Sequence, residues 1–297
     1  MPTTRLFLTA GTAALLVSTA AAQGPVTQNF QAQRLQVDAL IAGFRVDVVP
    51  GTSGIQVSVD GEPEMVQKLR LSTSGDALVI GMEGIDAGWW DDMWGSSSID
   101  PEDLHVVVTL SPGIPIKVDN YMGDAQIGDI KAPIRFNTSG GDTRIGEVTD
   151  AKVTIAGSGD INVFKATGTL EASIAGSGSI NGGNVGEANL EIAGGGDITL
   201  GRVERGLDID IAGSGEVRAE AVNGKLDIDV AGSGDVTIDG GTADPFKVDI
   251  AGSGSVRFGG TANNPDVSVM GSGDVWIAAY TGTLSSDGAD IKIGKAE

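Results

Sequence analysis

Apolar and polar residues alternate along most of this chain, in short runs broken by glycine. Leu207-Asp208-Ile209-Asp210-Ile211 shows the pattern, with every second side chain apolar, as a half-buried β-strand requires. Ala212-Gly213-Ser214-Gly215 predicts a turn, because glycine reaches positive φ without steric cost. Alternation resumes at Val217-Arg218-Ala219, and a second turn around Asn223-Gly224 leads the chain to Leu226. The same unit recurs. Hexads of the form Ile-Ala-Gly-Ser-Gly-Asp begin at Ile155, Ile174, Ile192, Ile211, Val230, Ile250 and Val269. Their last residues are Asp160, Ser179, Asp197, Glu216, Asp235, Ser255 and Asp274, spaced by 19, 18, 19, 19, 20 and 19 residues. Looser copies end at Asp142 and Asp124, 18 residues apart each time.

A period of about 20 residues marks a solenoid, in which each repeat is one coil stacked on the last. In-register stacking puts Leu226, Ile228 and Val230 on Leu207, Ile209 and Ile211, and Val236 and Ile238 on Val217 and Ala219. The rise is about 4.8 Å per coil, so nine rungs from Asp124 to Asp274 predict a rod about 40 Å long. The general handedness of parallel crossovers predicts a right-handed winding. The expected fold is therefore all-β: a parallel β-solenoid (β-helix) with coils of about 19 residues over 121–283 and a β-rich N-terminal cap. Residues 23–120 form that cap region, with strand-like runs at Leu35–Leu40, Arg45–Val49, Ile55–Val59, Leu69–Ser72, Ala77–Ile80, Leu104–Leu110 and Ile114–Val118. Pro50-Gly51, Asp60-Gly61 and Ser74-Gly75-Asp76 punctuate them, and an antiparallel or irregular arrangement is expected. Residues 284–297 keep only Ile291 and Ile293 in alternation and read as a capping strand.

Composition adds a compartment and removes several functions. Residues 1–22 read as a signal peptide: Arg5, the apolar run Leu6 to Val17, then Ala20-Ala21-Ala22 before Gln23. No later stretch approaches 18 consecutive apolar residues, so no transmembrane segment is expected, and export places the protein in a bacterial periplasm or outside the cell. With no cysteine in 297 residues, stability must come from packing alone. The net charge of −21 repels nucleic acid and is compatible with cations or basic partners.

The in-register AGSGD units, the export signal and the lead-in from Val46-Asp47-Val48-Val49 to Leu78-Val79-Ile80 resemble the putative auto-transporter adhesin head GIN domain family. The resemblance covers about Leu35 to Asp274 and implies an exported β-helix; it brings no catalytic residues. No membrane barrel follows the repeats, so display through the chain's own translocator is not expected.

Three constellations carry candidate chemistry. The turn carboxylates Asp160, Asp197, Glu216, Asp235 and Asp274 are candidate Ca²⁺ ligands, since acidic residues after Gly-rich turns supply oxygen ligands in calcium-binding β-rolls. Those rolls repeat every nine residues; here the opposite turns are not acidic in concert, which favours a structural role. Glu191, Asp210, Asp229 and Asp249 should line up on four successive coils, flanked by Asp208 and Asp227. Unit charges about 4.8 Å apart in water repel by about 0.9 kcal/mol. Such a stripe suits solvent, cations or a basic partner. Trp89, Trp90 and Trp94 lie in the loop 86–98 and hold three of the four tryptophans; loop aromatics serve as binding anchors or fold back over the first coil. Trp276 is expected to face outward. His105, the single histidine, reads as a strand residue, and no catalytic or cofactor motif is present. The expectation is a non-enzymatic, adhesin-like or structural envelope protein that binds an envelope protein or a glycan, with a homo-oligomer compatible. A calcium- or carbohydrate-binding module is the alternative, and a glycan-acting β-helix enzyme stands third.

Overall fold

The computed structural model describes residues 25–83, 100–288 and 291–294. The tryptophan loop and the signal peptide fall outside these residues. The protein is a parallel β-solenoid of about 9 turns with a spacing near 19 residues. Coil by coil, Leu207, Ile209 and Ile211 pair with Leu226, Ile228 and Val230, and Val217 and Ala219 pair with Val236 and Ile238. The hydrophobic alternation sets this register, because a slip of one residue would turn every aliphatic side chain to water. Leu207, Ile209, Ile211, Val217 and Val222 are each at most 2% exposed. Burial of each large aliphatic side chain contributes about 2 kcal/mol.

The corners explain the hexad. Gly213 has φ +137°, and Gly157, Gly176, Gly194, Gly232, Gly252 and Gly271 adopt the same left-handed backbone. Stacking adds a second constraint, for a Cβ on Gly213 would sit 2.2 Å from the Gly194 carbonyl oxygen of the preceding coil. The later glycine of each hexad is needed for space alone: a Cβ on Gly215 would lie 2.6 Å from the Gly196 oxygen and 2.7 Å from Ile192 Cγ2. This close approach lets the hydrogen-bond ladder continue around the corner. Ser214 N–H donates to the Gly194 carbonyl at 2.9 Å and Glu216 N–H to the Gly196 carbonyl at 3.2 Å. Ser233 and Asp235 repeat both bonds one coil on, at 2.8 and 3.1 Å.

The N-terminal region departs from sequence order. Its strands are β1 (Val26–Phe30), β2 (Arg34–Ile41), β3 (Gly43–Val48), β4 (Ile55–Gly61), β5 (Leu69–Ser74), β6 (Ala77–Met82), β7 (Leu104–Leu110), β8 (Ile116–Met122) and β9 (Ala125–Ile127). β2 and β3 form a full coil, paired in parallel with β8 and β9. On the other side of that coil lie β6 and β7, also parallel. β5 then pairs antiparallel with β6, β4 with β7, and β1 with β4. Parallel stacking thus begins at β6 and β7, and antiparallel strands cover its outer edge. A short helix, Pro63–Lys68, joins β4 to β5 and buries Met65. Tyr121 anchors the join to the repeats, its ring centroid 6.2 Å from Phe44 and 5.4 Å from Phe136. Its hydroxyl lies 2.7 Å from the Ala42 carbonyl and 2.8 Å from that of Asp124.

The corner geometry predicts that Gly213→Ala destabilises the fold by at least about 2 kcal/mol. Ser214→Ala, one residue along and exposed, should stay within about 0.5 kcal/mol of wild type. Denaturant melts of the two variants provide the check; equal losses would contradict the close-approach account.

Candidate functional site

Glu191, Asp210, Asp229 and Asp249 occur at one register position on four successive coils. Ser173 and Ser268 take the positions before and after them. The strand alternation that sends Leu190, Ile209, Ile228 and Val248 into the core turns these carboxylates outward. Beside them runs a second column: Asn189, Asp208, Asp227, Lys247 and Asp266. Two lysines temper the charge. Lys225 Nζ lies 2.8 Å from Asp208 and 3.0 Å from Asp227. Lys247 forms an ion pair with Asp249 and reaches within 3.9 Å of Asp227. Both ammonium groups are pushed above the usual lysine range, first by their hydrogen bonds to these carboxylates.

The middle of the ladder is left under tension. Among the described residues, no Lys or Arg stands within ion-pair distance of Asp210 or Asp229. Partial burial raises the Asp210 carboxyl above its ordinary range, and Asp208, Glu191 and Asp227 raise it further. Asp229 is raised for the same leading reason; Lys247 opposes, while Asp227, Asp249 and Asp210 add. Sequence reasoning missed the lysines because Lys225 stands in the turn before the acidic strand and Lys247 interrupts a column otherwise rich in Asp.

The turn carboxylates also stack: Asp142, Asp160, Ser179, Asp197, Glu216, Asp235, Ser255 and Asp274 follow one another in register. Their oxygens reach the next coil. Asp160 Oδ1 accepts from Ser179 N–H at 3.2 Å, and Asp235 Oδ1 from Ser255 N–H at 3.0 Å. The opposite corner uses the same device: Asp150 Oδ1 accepts from Thr169 N–H at 3.0 Å and Asn184 Oδ1 from Arg202 N–H at 3.0 Å. Glu216 pairs with Arg218, and Asp274 Oδ1 lies 3.0 Å from Lys292 Nζ. Among the described residues no three Asp, Glu or His groups converge to hold a metal ion. Trp276 is half-buried, with the Arg257 guanidinium 4.2 Å above its ring centroid. His105 is an exposed residue of β7, paired with Gly43 and Asp60.

The ladder makes a signed prediction. Folding raises the pKa of Asp210 and Asp229, so their protonated forms favour the fold. That contribution is full below the ordinary carboxylate range and is lost as pH rises through the raised values. Asp210→Asn or Asp229→Asn should therefore stabilise the protein at pH 7 and low salt by a few tenths of a kcal/mol, about the size of a like-charge cross-strand contact. Added salt or divalent cations should stabilise the wild type and shrink this gain. Melting temperatures that stay flat across pH and salt would contradict it.

A family profile described as putative auto-transporter adhesin, head GIN domain, matches residues 35–241 and 208–283. A crystal structure of a putative lipid binding protein from Parabacteroides distasonis is 20% identical, with 88% of this chain and 98% of that one covered and a TM-score of 0.52. A putative adhesin from Parabacteroides merdae is 16% identical, covering 88% of this chain and 97% of that one at a TM-score of 0.42. A third, from Bacteroides fragilis, is 14% identical over 88% and 98%, with a TM-score of 0.41. A search of curated proteins finds no match. No helix among the described residues is long and apolar enough to cross a membrane. With the family match spanning the solenoid and its lead-in, the chain belongs to the putative auto-transporter adhesin head GIN domain family.

Proposed function

We propose that this protein is a non-enzymatic, exported binding protein of the bacterial envelope, whose solenoid presents an acidic, repetitive face to a partner carrying positive charge. The observation that supports this reading most is the in-register ladder Glu191, Asp210, Asp229 and Asp249, whose middle members lack a cation partner among the described residues. A basic partner would relieve that tension on binding, which couples affinity to charge complementarity. The adhesin description of the family agrees with a binding role. Its carboxylates lie along an open sheet face, whereas a pair of acid and base groups for glycoside hydrolysis needs a site enclosing one bond. Export rests on Arg5, the Leu6 to Val17 run and the alanines before Gln23. Trp89, Trp90 and Trp94 remain candidate anchors for the same role, in residues outside those described.

The test is capture from envelope extract on immobilised residues 23–297. Wild type should retain a basic partner in a salt-sensitive manner, and Asp210→Asn/Asp229→Asn should weaken retention about tenfold or more. Equal capture by wild type and variant would contradict the reading. Calorimetry with calcium chloride separates it from a calcium-dependent module, for which saturable heat at micromolar calcium is expected; the present reading expects none.

A further inference from the structure

On the strand that follows each glycine corner, one outward position changes character over five coils. Its occupants are Gly146, Phe164, Gly183 and Glu220, with Gly201 between the last two, as the pairings on either side fix. Phe164 is 71% exposed in a chain with only 4% aromatic residues. Solvent-facing placement of so large an apolar ring has no packing benefit in the solenoid itself. The glycines have their own structural cause: a Cβ on Gly183 would lie 1.9 Å from the Phe164 carbonyl oxygen, and one on Gly201 would lie 2.7 Å from Asn184 Oδ1. The consequence is a bare backbone floor two coils long beside the ring. That floor lies in an open depression of about 480 Å³.

Its walls are polar and close to neutral. Asn162, Asn181 and Thr199 stack along one side. The carboxamides of Asn162 and Asn181 are exposed, with donors and acceptors both turned to solvent. On the other side, Lys165 is 3.3 Å from Glu147, and Asn184 spends its oxygen on the Arg202 amide, leaving its NH₂ group to donate. Glu220 closes the far end.

We propose that this depression is a binding site for a neutral carbohydrate, with one pyranose ring stacked on Phe164 and its hydroxyls bonded by Asn162 and Asn181. A sugar ring offers an apolar C–H face and a rim of hydroxyls, which matches one aromatic face beside mixed amide donors and acceptors. An extended peptide is a poorer fit, because strand addition needs a free sheet edge and the backbone here is paired on both sides. A lipid tail would find one exposed ring in an open depression, because the Val163 and Leu200 side chains that also line it are buried in the core. A nucleic acid meets a chain of net charge −21. The inference does not rest on the acidic ladder, which lies on the strand before the corner.

The experiment screens residues 23–297 on an array of neutral oligosaccharides, including β-glucans, mannans and N-acetylglucosamine oligomers, and titrates the best ligand by calorimetry. Wild type should bind. Phe164→Ala should weaken binding at least about tenfold, the usual loss for an aromatic anchor, with an unchanged melting temperature. Asn162→Ala/Asn181→Ala should weaken it several-fold. Phe164→Leu, which keeps apolar bulk but not the ring face, should lose binding as well, and Phe164→Trp should keep it. Asp210→Asn/Asp229→Asn should leave it unchanged. Absence of any retained neutral oligosaccharide, or binding indifferent to Phe164→Ala and Phe164→Leu, would overturn the proposal. Charge-dependent envelope capture that persists in Phe164→Ala would separate that failure from failure of the acidic-face reading.

Discussion

Main-chain hydrogen bonds that continue through the corner of every coil are the constraint on which the rest of this protein depends. At an ordinary turn the strand ladder stops and the carbonyls face water. Here Ser233 and Asp235 donate to the glycine carbonyls of the coil before, as Ser214 and Glu216 do one coil earlier. Bonds of this length between corners require the two backbones to approach where any Cβ would collide. The glycines are therefore demanded by the neighbouring coil as much as by their own φ. Once the corners stack, each flanking strand has one admissible register, and the narrow aliphatic core follows from it.

Stacking has an electrostatic consequence. A repeat that copies its sequence also copies its charge, and strict register brings like charges to neighbouring coils. The fold answers in two ways. Lys225 and Lys247 interrupt the acidic columns, and Asp and Asn at the corners turn an oxygen to the next coil's amide. Among the described residues, Asp210 and Asp229 have no lysine or arginine within ion-pair distance, and Lys225 and Lys247 only partly offset their charge. Around Phe164 the departure is of the opposite kind, since charge gives way to glycine, amide and one exposed ring. One surface follows from the repeat and the other departs from it, while the coil geometry is the same in both.

The solenoid and its register were legible because the signal is local and repeated. The hexad at Ile211 predicts the same turn as the hexad at Val230, and period-two alternation names the inward residues. Strand order in the lead-in was not legible. β6 and β7 stack outside β2 and β3, a non-local choice that leaves no trace in the spacing of short apolar runs. The alignment of Glu191 with Asp210, Asp229 and Asp249 followed from register alone, whereas the reach of Lys225 to Asp208 and Asp227 depends on side-chain length across coils. Phe164 could have been noticed as an aromatic at an outward position in Val163-Phe164-Lys165. Its glycine neighbours belong to other coils, and only the fold brings them together.

Native-state hydrogen exchange tests the corner account most directly. Amides of Ser177, Ser214, Ser233 and Ser253 sit in the middle of a Gly-Ser-Gly turn, where a conventional loop exchanges freely. Each donates to the coil before, at 2.8 to 2.9 Å. The account predicts that these serine amides are protected to the same degree as the buried strand amides of Ile209 and Ile228. Rapid exchange at the four serines beside protected strands would show that the corners are ordinary turns, and would contradict it.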